Sequence, residues 1–195
     1  MNDRANQAFR LMGWGMVFPL LNLRIQGFDL ISDWIGYTMV LVALNTLNPM
    51  NRFFRIAKWM AVVLVSGSVA GQAAGLFTGF EVSDSSYLIH QVYSGLVSIL
   101  HAALVYCIFN GLIAAAWAVS LRNLRHSTAV RRDTYFIIVS AHLLLWPFGL
   151  NLDDGWALVV TGASILHLVV EVLFVRLLFK FAKEYLPGRY MDRSI

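Results

Sequence analysis

The chain is short of charge and of cysteine, and each shortage excludes a class of protein. Only 13% of its 195 residues are Asp, Glu, Lys or Arg, while 58% are hydrophobic. Soluble domains carry about 25% charged and about 45–50% apolar residues, which leaves little room here for a water-soluble monomer. Disorder fails on the same count, because it needs low hydrophobicity and high charge. The single cysteine, Cys107, excludes an intramolecular disulfide framework and any multi-cysteine zinc or iron–sulfur site. The sequence has no Walker loop, no G-x-S-x-G elbow and no H-E-x-x-H motif. It also lacks lipidation motifs, and no small-residue cleavage site follows the first apolar run, so that run is expected to remain as a helix.

What is present is apolar length, with a mean hydropathy of +0.66. A bilayer core about 30 Å thick needs about 20 apolar residues per helix. Six stretches qualify: 8–25, 28–47, 56–79, 87–121, 134–150 and 156–179. The first is interrupted by Pro19, the fourth is long enough to tilt or leave the bilayer, and the fifth is short and holds Pro147. None shows strand-like alternation, so each reads as a helix, which satisfies its own backbone in lipid. The expected fold is all-α: one polytopic bundle of six transmembrane helices across 1–195.

Charge placement supports that count. Fourteen of the fifteen cations fall in the N-terminus, the 2–3 and 4–5 connections and the tail, leaving Arg24 alone on the other side. Under the positive-inside rule both termini are cytoplasmic. The pI near 9.5 is therefore a topology and lipid-anchoring signal, with the bilayer as partner and no nucleic acid implied.

At the second stretch, Leu30-Ile31-Ser32-Asp33-Trp34-Ile35-Gly36-Tyr37 resembles a signature of small, uncharacterised multi-spanning bacterial membrane proteins, roughly Leu-Pro-Asp-Phe-Ile-Gly-Tyr. Ser32 stands for its Pro and Trp34 for its Phe. The resemblance covers about eight residues and implies a bacterial cytoplasmic membrane without implying an activity.

Three sets of residues could carry function. His142 in the fifth stretch faces His167 and Glu171 in the sixth. At 1.5 Å per residue they lie about 12, 13 and 7 Å from the cationic ends of their helices. His167 and Glu171 are four apart and share a helix face with Ser164, and His101 turns toward the same region. Ionisable groups inside a membrane cost about 2.5–3.5 kcal/mol on insertion scales for Arg, Lys and Asp, and mark sites by default. The set reads as a structural lock, as a proton or cation relay, or as a ligand set for haem or zinc at His142, His167 and Glu171. Each outer connection also carries two carboxylates: Asp29 and Asp33, Glu81 and Asp84, Asp153 and Asp154. They suit helix N-termini or, alternatively, an acidic mouth that concentrates cations, with Arg24 as counter-ion of Asp29. Finally, Gly67, Gly71, Gly75 and Gly79 repeat every four residues, an internal packing face or a seam for a homo-oligomer. These features favour an ion-coupled, transporter-like protein over a metal enzyme, an electron-transfer protein or a non-catalytic interaction protein.

Overall fold

The computed structural model describes residues 2–20, 24–25, 28–29, 33–77, 84–145 and 154–185. Among these are six helices: α1 (Asn2–Leu20), α2 (Asp33–Leu47), α3 (Arg52–Phe77), α4 (Asp84–Ala118), α5 (Arg122–Leu145) and α6 (Asp154–Glu184). Between α1 and α2, a two-residue antiparallel ribbon pairs β1 (Arg24–Ile25) with β2 (Phe28–Asp29), setting Arg24 opposite Asp29. Each helix packs on its sequence neighbours, and α6 returns to α1, so the six close into a ring. Three helices are long and apolar enough to cross a membrane, through Arg52–Ala73, Val92–Ala118 and Leu158–Glu184, with mean hydropathies of 1.5, 2.0 and 2.3. Their outward residues are greasy: Leu158, Leu96, Val63 and Leu166 are all exposed. An apolar exterior of that extent belongs against lipid or protein rather than water.

Several expected boundaries move. Helix α1 starts before residue 8 and stops at Leu20, while Arg24 and Ile25, expected to end the first span, lie in the ribbon. The second helix starts at Asp33 rather than at 28, because Phe28–Asp29 belongs to that ribbon. Pro19 does not interrupt α1; it occupies the last turn. Having no N–H, it leaves the carbonyl of Gly15 without its usual i+4 donor. That carbonyl faces Gly36 of α2, where an added Cβ would lie 2.5 Å from it, while a Cβ on Gly15 would meet the Gly36 carbonyl oxygen at 2.7 Å. Two glycines thus let α1 and α2 approach backbone to backbone.

The largest shift is in α5, which begins at Arg122, twelve residues ahead of the expected 134. The cationic segment expected as a loop is helical, because arginine is a good helix former and Leu124, Thr128 and Tyr135 bury one face of it. Only a tight turn separates α4 from α5. Leu121 N–H donates to Ala116 O (3.0 Å), Ser120 N–H donates to Trp117 O (3.1 Å), and Ser120 takes a φ of 57°. This is the paired-bond, left-handed stop of a Schellman motif, with serine at the position glycine usually holds. At the α2–α3 turn, Asn51 Oδ1 accepts from the N–H groups of Phe53 and Phe54 (3.1 Å each), an N-cap for α3. Its Nδ2 donates to Gly111 O on α4 at 3.0 Å, so one side chain ties α3 to α4.

The turns α2–α3 and α4–α5, the start of α1 and the end of α6 share one end of the ring. The described cations other than Arg24 lie toward it, so it is called the basic end. Burial is concentrated in this half and along the α1–α2 contact, where Met16 and Tyr37 are also buried. Phe9, Met12, Leu44, Leu47, Phe54, Leu64, Leu104, Ile108, Phe109, Leu112, Phe174, Leu178 and Phe181 are all sealed there. Aromatic rings pack across the ring's middle: Phe9 on Phe54 (6.4 Å) and Phe181 (5.8 Å), and Phe109 on Phe174 (4.8 Å). Toward the other end, no described side chain in 65–73 of α3, 92–101 of α4, 140–145 of α5 or 156–169 of α6 is fully buried. There a Cβ added to Gly95 or Gly162 would meet nothing within 4 Å. The bundle is sealed at the basic end and loose at the other.

Candidate functional site

The floor of the loose half is polar. Glu171, 5% exposed, sits on the inward stripe of α6 with His167 one turn above and Phe174, Leu178 and Phe181 below. On α4 the inward stripe runs Ser94, Ser98, His101, Val105, Ile108, Leu112, changing from polar to apolar at His101. Helix α5 supplies Tyr135 and His142 seven residues apart, and α2 supplies Tyr37 in its second turn. Helical spacing at i, i+3, i+4 and i+7 is what aims each of these at the interior.

Three groups converge on one carboxylate oxygen, Oε1 of Glu171. His101 Nε2 is 3.2 Å away, the Tyr135 hydroxyl donates a short hydrogen bond, and His167 Nε2 lies 3.5 Å away on the same helix. A carboxylate only accepts, so His101 donates through Nε2. On the far side of that ring, Nδ1 is 3.0 Å from the hydroxyl of Tyr37, which donates to it when the ring is neutral. The chain Tyr37–His101–Glu171–Tyr135 therefore links α2, α4, α6 and α5. A branch leaves it through His167 to His142, whose rings stand 4.8 Å apart. Hydrogen bonds to a charged group contribute about 1.5–3 kcal/mol each, so two or three donors offset the cost of placing a carboxylate at this depth. Around them Phe109 and Phe174 pack on the Tyr135 ring at 5.7 and 6.2 Å.

The structure thus brings together His101, His142, His167 and Glu171. Ser164, on the same arc, spends its hydroxyl on the carbonyl of Val160 at 3.0 Å and takes no part. The sequence reading missed Tyr135 and Tyr37. For Tyr135 a signal existed: it shares an α5 stripe with Thr128, Val139 and His142, all at helical spacing. For Tyr37 the signal was its place at the end of the Asp33-Trp34-Ile35-Gly36-Tyr37 run.

Of the acidic residues, Asp33 stands near enough to this cluster to act electrostatically on Tyr37 and His101. Asp33, Asp84 and Asp154 are the first residues of α2, α4 and α6, and at Asp33 a carboxylate meets the positive end of the helix dipole. Asp29 is in the ribbon, and Glu81 and Asp153 lie outside the described residues, as does Pro147. Of the glycine series, Gly67 and Gly71 receive Tyr93 of α4. Its hydroxyl donates to Gly67 O at 2.7 Å, and a Cβ on Gly71 would lie 2.6 Å from that hydroxyl oxygen. These two positions therefore serve packing of α3 on α4, while Gly75 continues α3 and Gly79 lies outside the described residues. Among the described residues, no group of three or more His, Cys, Asp or Glu is disposed to hold a metal ion.

No protein-family model, curated protein or solved structure matches this chain.

Proposed function

We propose that the chain is a six-span protein of the bacterial cytoplasmic membrane, with both termini in the cytoplasm, that works as a small proton- or cation-coupled, transporter-like protein. The loose half opens to the outside, the acidic connections form its mouth, and Glu171 with His101 is the protonation centre at its floor. One observation carries this reading: a buried carboxylate on α6, bonded to both α4 and α5, sits where packing changes from open to sealed.

The proposed step is a proton transfer within that cluster. A proton reaching His167 Nε2 from the opening passes to Glu171 Oε1. A protonated carboxyl then accepts less strongly than a carboxylate, so its bonds from His101 and Tyr135 weaken together. Those two bonds tie α4 and α5 to α6, and through Tyr37 also α2. Protonation therefore loosens four helices at once, a bias on a two-state bundle of the kind that coupled transport requires.

The competing reading is a static lock in an interaction protein, favoured by the fact that the cluster's members satisfy one another. Proton or cation flux into liposomes containing the native protein, Glu171→Gln or His167→Ala separates the two. The proposal expects flux in the native protein, its loss in Glu171→Gln and slowing in His167→Ala, with helix content retained in all three. Absence of flux in the native protein, or equal flux in the three, would sink it.

A further inference from the structure

A second site lies outside the ring, at the basic end between α5 and α6. There Arg131, Leu173, Arg176 and Lys180 enclose a groove of about 310 Å³. Arg176 and Lys180 are four residues apart and so stand on one face of α6, while Arg131 reaches across from α5. Arg131 Nη1 makes one long contact, 3.5 Å, to the carbonyl oxygen of Leu173, which places its guanidinium beside the groove. A guanidinium has five donors, so that contact leaves most of them for an anion. Lys180 is 3.9 Å from Glu184, with both side chains more than two-fifths exposed. A surface pair of that kind is weak and lets the ammonium swing inward. Among the described residues, no carboxylate lines the groove.

The surface above it is of the opposite kind. Moving from the groove toward the middle of the bundle, α6 exposes Leu173, Val172, Val169 and Leu166. A ligand that fits both parts has an anionic head and long apolar tails.

We propose that this groove is a binding site for the phosphate headgroup of an anionic phospholipid, whose acyl chains run along the exposed α6 face. The inference rests on the membrane-spanning part of the reading above and is independent of proton movement. Three cations on two facing helices can share the oxygens of one phosphate, with Arg131 and Arg176 supplying paired donors that lysine alone cannot. Juxtamembrane basic pockets between helices recognise anionic headgroups in this way. Inorganic phosphate shares the head chemistry but uses none of the apolar wall.

The test counts lipids retained by the full chain purified in a mild detergent and exposed to phosphatidylglycerol, phosphatidylcholine or inorganic phosphate, with native mass spectrometry as the readout. The proposal expects one retained phosphatidylglycerol per chain. It expects affinity to fall on the order of a hundredfold in Arg131→Gln/Arg176→Gln/Lys180→Gln, because each cation contributes about fivefold at a charged surface. The control Arg122→Gln/Arg125→Gln/Lys183→Gln removes the same charge elsewhere at the basic end and is expected to keep the bound lipid. The double variant Arg176→Gln/Lys180→Gln, which leaves the Arg131 contact in place, gives the same reading if the triple variant fails to fold. Equal loss in pocket and control variants would overturn the site in favour of diffuse charge attraction. Full displacement by inorganic phosphate, or equal retention of phosphatidylcholine, would overturn the lipid assignment. Flux by a chain that has lost the lipid, or lipid retention by a chain without flux, keeps the two proposals separable.

Discussion

Helices α3 to α6 run through both halves of the ring, which are built by different rules, while the shorter α1 and α2 belong to the sealed half. At the basic end, α4 and α6 turn Ile108, Phe109, Leu112, Phe174 and Phe181 inward and bury them almost completely. Two turns further along, the same stripes present Ser94, Ser98 and His167, and no described side chain there is sealed. The sealed half is held by volume, through tilted aromatic pairs and glycines that admit a neighbour's ring or backbone. The loose half is held by polar bonds of single side chains, such as Tyr93 to Gly67 O, and by whatever surrounds it. Stability is thus concentrated in one half, with the titratable groups at its edge.

Substitutions at matched positions in the two halves can break that contrast. The largest expected difference is between Phe174→Ala and Leu166→Ala. Phe174 packs on Phe109 and Tyr135 at 1% exposure, so its truncation is expected to cost about 3–5 kcal/mol. Leu166 faces outward at 54% exposure, and its truncation is expected to cost within about 0.5 kcal/mol. Reversible unfolding in mixed micelles measures both, and similar losses would mean that the loose half is packed after all.

A smaller contrast uses glycine. In Gly111→Ala the new methyl would lie 2.5 Å from Phe54 Cε1, forcing that sealed ring to move, at about 1–3 kcal/mol. Gly162→Ala meets open space, so the gain in helix propensity, up to about 1 kcal/mol, is left uncancelled. Opposite signs are expected from the same chemical change. Two values of the same sign would show that the two positions do not differ as described.

Much of this was readable in the sequence, for physical reasons that also explain the rest. Helical periods of apolar residues located six helices, and the four-residue step from His167 to Glu171 placed both on one inward face. His101 joined them because α4 runs unbroken from Asp84 to Ala118, fixing its phase. The start of α5 was hidden because arginines read as a loop when hydropathy alone is followed, although they suit the exposed face of an amphipathic helix. The glycine contact between α1 and α2 was hidden because Gly15 and Gly36 belong to no repeat, and only the docked pair gives them meaning. Tyr135 and Tyr37 were passed over because tyrosine is common at membrane interfaces. That each hydroxyl finds a partner across the ring depends on which helices are neighbours, which no single stretch encodes.

The account depends most on water reaching the Glu171 cluster from the loose half alone. In a Cys107→Ser background, single cysteines placed along the inward stripe of α4 test this with a charged, membrane-impermeant thiol reagent. Cysteines at Ser94 and Ser98, just above His101, are expected to react from the acidic side, because a solvated thiol ionises and a sealed one does not. Cysteines at Val105 and Leu112 on the same stripe, both 0% exposed, are expected to stay unmodified from either side. Reaction at 94 and 98 with silence at 105 and 112 is the expected result, whereas silence at 98, or labelling there from the basic side only, would contradict it.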